Sequence, residues 1–167
     1  MSVTSTRLLL ISHSCYDDDP RKLLQLDEVG NELRRVQLPY YMRPYHAVES
    51  PTDTFIVSHS NKQLHQYQVS EVNTGGEVLR HFSVSRLPPS VYQPPRIAVD
   101  SQGNIFVADK RNSRILLLIA QLKLRRVIID KDQIKDEEAQ HLSYREQSGQ
   151  LLVGCRHRVI VFDVLHH

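Results

Sequence analysis

Cysteine occurs only twice, at Cys15 and Cys155. Two thiols cannot make a disulfide framework, and their spacing is not that of a zinc site. No Asn-x-Ser/Thr sequon is present, so nothing points to glycosylation. Long hydrophobic runs are missing too. The apolar stretch from Leu8 to Ile11, preceded by one Arg, is too short for a signal-peptide core or a membrane span. Neither sign of charge dominates: the formal net charge is +2, too small to argue for a polyanionic partner on bulk charge. These absences fit a reduced, cytoplasmic protein with no membrane attachment.

What is present is ordinary globular composition, 40% hydrophobic and 24% charged over 167 residues, enough for one domain with a core. The order within it is a repeat. The segment Val107-Ala108-Asp109-Lys110 has three counterparts, beginning at Ile11, Val57 and Val153, so the steps are 46, 50 and 46 residues. Each is followed by a polar turn and an apolar run: Lys22 to Leu26, Gln63 to Tyr67, Arg114 to Leu118 and Arg158 to Phe162. A further run follows in three units: Glu32 to Val36, Glu77 to Phe82 and Leu122 to Val127. Gly30-Asn31 and Gly75-Gly76 supply hairpin turns before the first two. A leading run precedes the last three units: His46 to Glu49, Ile97 to Asp100 and Leu142 to Arg145.

A full unit therefore has four strands, a to d, with strand a missing from the first unit and strand d from the fourth. A four-stranded antiparallel unit repeating at about 40–50 residues predicts an all-β fold, a β-propeller of about three and a half blades. The expected units are 1–43, 44–93, 94–140 and 141–167, forming one domain. Runs such as Ile105 to Ala108 are apolar throughout rather than alternating, as in strands covered on both faces. The links between units are polar or Pro-rich, and Asp130 to Gln140 is a charge run that reads as a solvated connection with a helical turn.

The best-kept unit resembles the NHL repeat. The residues that carry the resemblance are Pro94 or Pro95, Ile97, Ala98, Val99, Asp100, Gly103, Asn104, Ile105, Val107, Ala108, Asp109, Asn112, Arg114 and Ile115. Ser113 stands where the family usually has His, and Arg96 where Gly is common. The resemblance implies an NHL-type propeller, which usually has six blades. The shortfall leaves two readings, a fragment of a longer protein or an open arc, and the fragment is preferred. An open arc would expose a sheet face at each end and self-associate.

The resemblance implies a non-catalytic platform for a protein partner, and allows the substrate-recognition part of a tripartite-motif ubiquitin ligase. Two cysteines cannot ligate the zincs of a RING or B-box, so ligase activity would belong to other sequence. Binding is expected in the loops, at Tyr40, Tyr41, Arg43, Tyr45, Lys110 and Arg111. Asp109 and Arg114 can pin the b–c hairpin, with Asn112 beside them. Asp100, Gly103 and Asn104 are expected to shape the a–b turn.

Two alternatives stay open. Some NHL propellers bind single-stranded RNA, and Arg34-Arg35, Arg125-Arg126 and Arg156-His157-Arg158, with Tyr40, Tyr41, Tyr45 and Tyr92, suit stacking and neutralisation. Yet charged pairs in an outer strand also block edge-to-edge aggregation. Some six-bladed propeller lyases hold a metal in the central channel. His46, with Glu49 and Asp100, is the best-placed set, whereas His13 and His59 are equivalent positions that reflect repetition. No Gly-x-Ser-x-Gly elbow exists, Gly75-Gly76 has no following helix, and Cys155 reads as a structural thiol. No catalytic residue, metal or cofactor is assigned, and the chain is expected not to be an enzyme.

Overall fold

The computed structural model describes residues 8–12, 21–87, 94–134 and 137–164, the side chains of 8–12 excepted. His13, Cys15, the Asp17-Asp18-Asp19 run, Tyr92, Asp136, His166 and His167 lie outside the described residues. The fold is all-β. Among the described residues the helical content is a 3₁₀ turn at Lys110–Asn112 and one α-turn, α1 (Lys131–Ile134), inside the charge run.

Four antiparallel sheets follow one another, each a meander in which every strand pairs with the next. The first holds β1 (Leu8–Ser12), β2 (Lys22–Leu26) and β3 (Glu32–Gln37). The second holds β4 (Met42–Glu49), β5 (Phe55–Asn61), β6 (Gln66–Val72) and β7 (Val78–Arg86). The third holds β8 (Arg96–Val99), β9 (Ile105–Asp109), β10 (Arg114–Leu118) and β11 (Leu124–Ile129). The fourth holds β12 (His141–Arg145), β13 (Gln150–Gly154) and β14 (Val159–Asp163). Neighbouring sheets adjoin at their leading strands, β1 beside β4, β4 beside β8, and β8 beside β12. The arrangement is propeller-like.

Several strands differ from the sequence reading at their ends: β4 begins at Met42 rather than His46, β7 runs to Arg86 rather than Phe82, and two further shifts have a local cause. Strand c of the second unit was expected at Gln63 to Tyr67, but Lys62 to His65 is a loop and β6 begins at Gln66. The register explains the shift: Asn61 pairs with Gln66 as Asp109 pairs with Arg114, so both hairpins need four residues between the pair. Strand d of the third unit begins at Leu124 rather than Leu122, because Leu122 is a left-handed turn residue with φ +57°.

One turn recurs through the molecule. In Asp27–Asn31, Asn73–Glu77 and Asp100–Asn104 the first N–H donates to the fifth carbonyl, and the fourth N–H donates back to the first carbonyl. The fourth residue is left-handed in each: Gly30 at +91°, Gly76 at +86° and Gly103 at +84°. This is a three-residue hairpin loop with a bulge, which needs a positive φ at that place. The first side chain, Asp27, Asn73 or Asp100, accepts the N–H groups two and four residues on. Ile119–Lys123 repeats the backbone bonds with Leu122 at the strained place. A left-handed Leu costs roughly 1–2 kcal/mol. Leu122 is 3% exposed, and burying a Leu yields about 1.5–3 kcal/mol, so burial wins.

The core consists of three apolar layers, one between each pair of adjacent sheets. Leu23, Val36, Met42, Phe55, Val57 and Val72 fill the first. Ile56, Tyr67, Val69, Ile97, Ile105, Val107, Leu116 and Leu118 fill the second. Phe106, Ala108, Ile115, Leu117, Leu151 and Val153 are in the third, where Phe106 stacks on Tyr144 at 4.9 Å. Residues of β9 and β10 thus alternate between two cores, and the strand is apolar throughout because neither face meets water. The fourth sheet differs. Its β14 alternates, and Val159 and Val161 face outward, 63% and 52% exposed.

Glycine geometry generates a test. Gly30 and Gly76 share a left-handed backbone, but a Cβ on Gly30 meets nothing, whereas one on Gly76 runs into the Gln37 carbonyl of the first sheet. Gly30→Ala should cost about 1 kcal/mol in urea unfolding. Gly76→Ala should cost clearly more, because the backbone contact between the two sheets must give way. Equal losses would show that the sheets do not meet there.

Candidate binding face

In a four-stranded meander, the start of the first strand, the loop between the second and third strands, and the link to the next sheet all fall at one end; the described first sheet begins at the second of these strands. That end gathers basic and aromatic residues. Tyr40 and Tyr41 lie in the link before β4, Lys62 and His65 after β5, Lys110 and Arg111 after β9, and Arg156, His157 and Arg158 after β13. Arg96 and His141 open β8 and β12. The opposite end carries Asp27, Glu28, Glu49, Asp53, Glu77, Asp100 and Glu146, with Lys123 and Arg145 among them. The link from β11 to β12 also puts Asp130, Asp132, Glu137 and Glu138 at the basic end, so charge that nearly cancels over the sequence is separated in part along the strand direction.

The expected binding residues all fall at the basic end, in different settings. Tyr40 is 78% exposed, stands edge-on to Tyr41 at 5.8 Å, and accepts a hydrogen bond from Gln63 Nε2. Tyr41 packs against the first core, and its carbonyl accepts the Lys62 N–H at 3.0 Å. Arg43 is exposed on β4. Tyr45 was expected in a loop but belongs to β4, where it is half-buried, edge-on to Tyr67 and bonded through its hydroxyl to Ser60 Oγ at 3.1 Å. Lys110 and Arg111 sit in the 3₁₀ turn, and Arg111 donates to the Arg86 carbonyl. Burial and then Arg96 hold the Lys110 pKa below its usual value, with Glu138 opposing.

Asp109 frames this turn. Its Oδ2 accepts Asn112 Nδ2 at 2.7 Å and Arg114 Nε at 2.8 Å, while the carboxylate itself is buried. Ser113 closes the loop at φ +49°, and His65 closes the matching loop of the second sheet at +50°.

The alternative chemistries find less support in the geometry. His46 Nδ1 accepts the Ile97 N–H at 3.3 Å, Glu49 is held by Gln25 Nε2, and Asp100 is used by its turn. Among the described residues no three of His, Cys, Asp and Glu group together in a way that would hold an ion. His59 Nε2 lies 2.7 Å from Ser70 Oγ, a nucleophile–base distance, but the residues are 0% and 1% exposed. A substrate cannot reach that hydroxyl, so the pair is internal. Cys155 has its thiol pKa raised by burial and by Glu137, the reverse of an activated nucleophile. A cavity of about 390 Å³ beside it is lined by Glu137, Glu138, Gln140, Arg156 and His157.

Sequence reasoning missed Arg96, His141 and Lys62 as members of this face. In the sequence Arg96 is only a departure from the Gly of the repeat pattern, and the run from Leu142 to Arg145 does not mark His141 as part of its strand. The pairing of His141 with Gly154, at the end of β13, assigns it to this end.

Two measurements follow. Asp109→Ala should cost about 2–3 kcal/mol in urea unfolding, since it strands the Asn112 and Arg114 donors and Arg114 keeps some water. Asp109→Asn should lose less. His46 and His59 are held near pKa 4, below the usual 6.5, chiefly by burial, then by Arg96 and His141 at His46, and by His81 against an opposing Ser60 bond at His59. The unfolded chain binds those protons more tightly. Stability is therefore full above about pH 6.5 and is lost as pH falls towards 4, with His59 contributing up to about 3 kcal/mol. The His59→Gln variant should show a flatter slope over that window.

Residues 92–116 match the family model described as the NHL repeat. A crystal structure of a protein of unknown function from Bacteroides caccae is similar, with a TM-score of 0.56 at 18% identity over 87% of this chain and 52% of that one. Likeness at that identity speaks to the fold alone, and the chain spans about half the length of that protein. No curated protein matches. Among the described residues no helix is long and apolar enough to cross a membrane. The matched residues include β8, β9 and the first part of β10 in the third sheet.

Proposed function

We propose that the chain is a partial NHL-type propeller, one domain with blade units near 1–43, 44–93, 94–140 and 141–167, that binds a protein partner in the cytoplasm. NHL repeats generally mediate protein interactions, which supports a non-catalytic role. The observation that carries the reading is the gathering of exposed Tyr40 and the loop cations Lys62, Lys110 and Arg111 at one end of consecutive sheets. Loops held by a rigid β frame are a common way to present a binding surface. The role of a recognition module in a tripartite-motif ubiquitin ligase fits this reading. The outward Val159 and Val161 support self-association through the open face of the fourth sheet.

Single-stranded RNA is the second reading, favoured by the same cations. Two features weaken it. Arg34 and Arg35 are engaged by Asp53 and Glu32 at 3.1 and 2.8 Å, and Glu137 and Glu138 interrupt the basic end.

Affinity capture with the wild-type chain and with a Tyr40→Ala/Lys110→Glu/Arg111→Glu variant, quantified by mass spectrometry, tests the proposal. Specific partners should be lost by the variant and kept by Lys123→Glu at the opposite end. Identical captured sets would refute a site at this end. Binding of RNA with a steep salt slope would favour the second reading.

A further inference from the structure

We propose that Arg96, Lys110 and His141 form an anion-binding site that takes a single carboxylate side chain from the protein partner. The inference deepens the reading above, on which the source of the carboxylate rests. The fold places the three residues at the same end of neighbouring elements. Arg96 opens β8 and pairs with Ala108, which lies just before Asp109 and Lys110. β12, which opens with His141, runs alongside β8. The backbone on both sides of Arg96 is pinned to the second sheet: Ser58 Oγ donates to the Pro95 carbonyl at 2.6 Å, and the Ile97 N–H donates to His46 Nδ1 at 3.3 Å. A cation on a backbone fixed this way is preorganised for its ligand.

The positive charge at this spot is poorly matched. Arg96 Nε is buried and has no hydrogen-bond partner. Lys110 feels Arg96 as a like charge, opposed by Glu138. His46 feels both Arg96 and His141, which with burial keeps it neutral near pH 7 and free to accept the Ile97 N–H. An arriving carboxylate would meet the outer N–H groups of the half-buried guanidinium, Nε itself being enclosed, and make a charge-assisted bond there.

The surroundings favour one carboxylate over a phosphate chain. Glu137 and Glu138 line the adjoining cavity together with Arg156 and His157. A continuous nucleic-acid backbone would have to pass both acids, whereas a side chain entering end-on would not.

Fluorescence anisotropy with a labelled oligoglutamate peptide tests the site, with inorganic phosphate as competitor and U-rich single-stranded RNA titrated in parallel. The peptide should bind, phosphate should displace it, and Arg96→Gln should weaken binding about tenfold or more. Lys123→Gln should leave it unchanged. Arg96→Met should melt at or above the wild-type temperature, because the buried Nε has no hydrogen bond to lose. A lowered melting temperature would mean that Arg96 is structural and would overturn the proposal. So would absence of peptide binding, or equal weakening by Arg96→Gln and Lys123→Gln. RNA that binds more tightly than the peptide and is lost in Arg96→Gln would overturn it in favour of a nucleic-acid site. The peptide is read with no partner present, so a failed partner capture leaves this result standing.

Discussion

A sheet that is apolar on both faces cannot stand alone in water, and everything else in this molecule depends on that. β9 sends Ile105 and Val107 to one core and Phe106 and Ala108 to the other. β10 divides Leu116 and Leu118 from Ile115 and Leu117 in the same way. The third sheet is therefore stable only while the second and fourth flank it. Stacking of like units, each covering its neighbour, is the arrangement that meets this demand. It brings the leading strands side by side and stacks the loops of successive sheets at common ends.

Much of this is written in the chain. Continuous apolar runs at regular spacing give the number of strands and their order. The Asp-x-x-Gly-Asn pattern of Asp27–Asn31 and Asp100–Asn104 gives the turns outright, because a carboxylate, two N–H groups and a left-handed glycine are needed at those places. Leu122 was illegible for the same reason. Nothing local marks a leucine as left-handed, and only its burial in a core built from other sheets makes the conformation affordable. The second-sheet loop at Lys62 to His65 was misread because Leu64 and Tyr67 look like one apolar run, yet Leu64 is exposed and Tyr67 is buried. The candidate face was only half visible. Its loop residues are polar islands in the sequence, but the placing of Arg96 and His141 at one end of adjoining strands depends on β8 lying beside β12, a contact between distant segments.

The separation of charge between the two ends has a structural origin. Acidic and amide side chains brace three of the a–b and c–d turns, where Asp27, Asn73 and Asp100 bind backbone N–H groups, while Ile119–Lys123 closes without one. The b–c loops use a different closure, with Asp109 buried beneath Asn112 and Arg114. Their outer positions are thus free to carry lysine and arginine. Turn chemistry at one end and loop freedom at the other polarise a chain whose total charge is small.

The outward face of the fourth sheet bears on how the molecule comes apart. Units that touch only their neighbours lose stability in steps, and a unit flanked on one side has fewer contacts to lose. β14 is backed by a core on one face and water on the other, whereas β9 and β10 are enclosed on both. Amide protons of β12 to β14 would then exchange with solvent through local opening of that sheet. Those of β9 and β10 would wait for the whole array to unfold, so the centre of the third sheet would be the last part to yield.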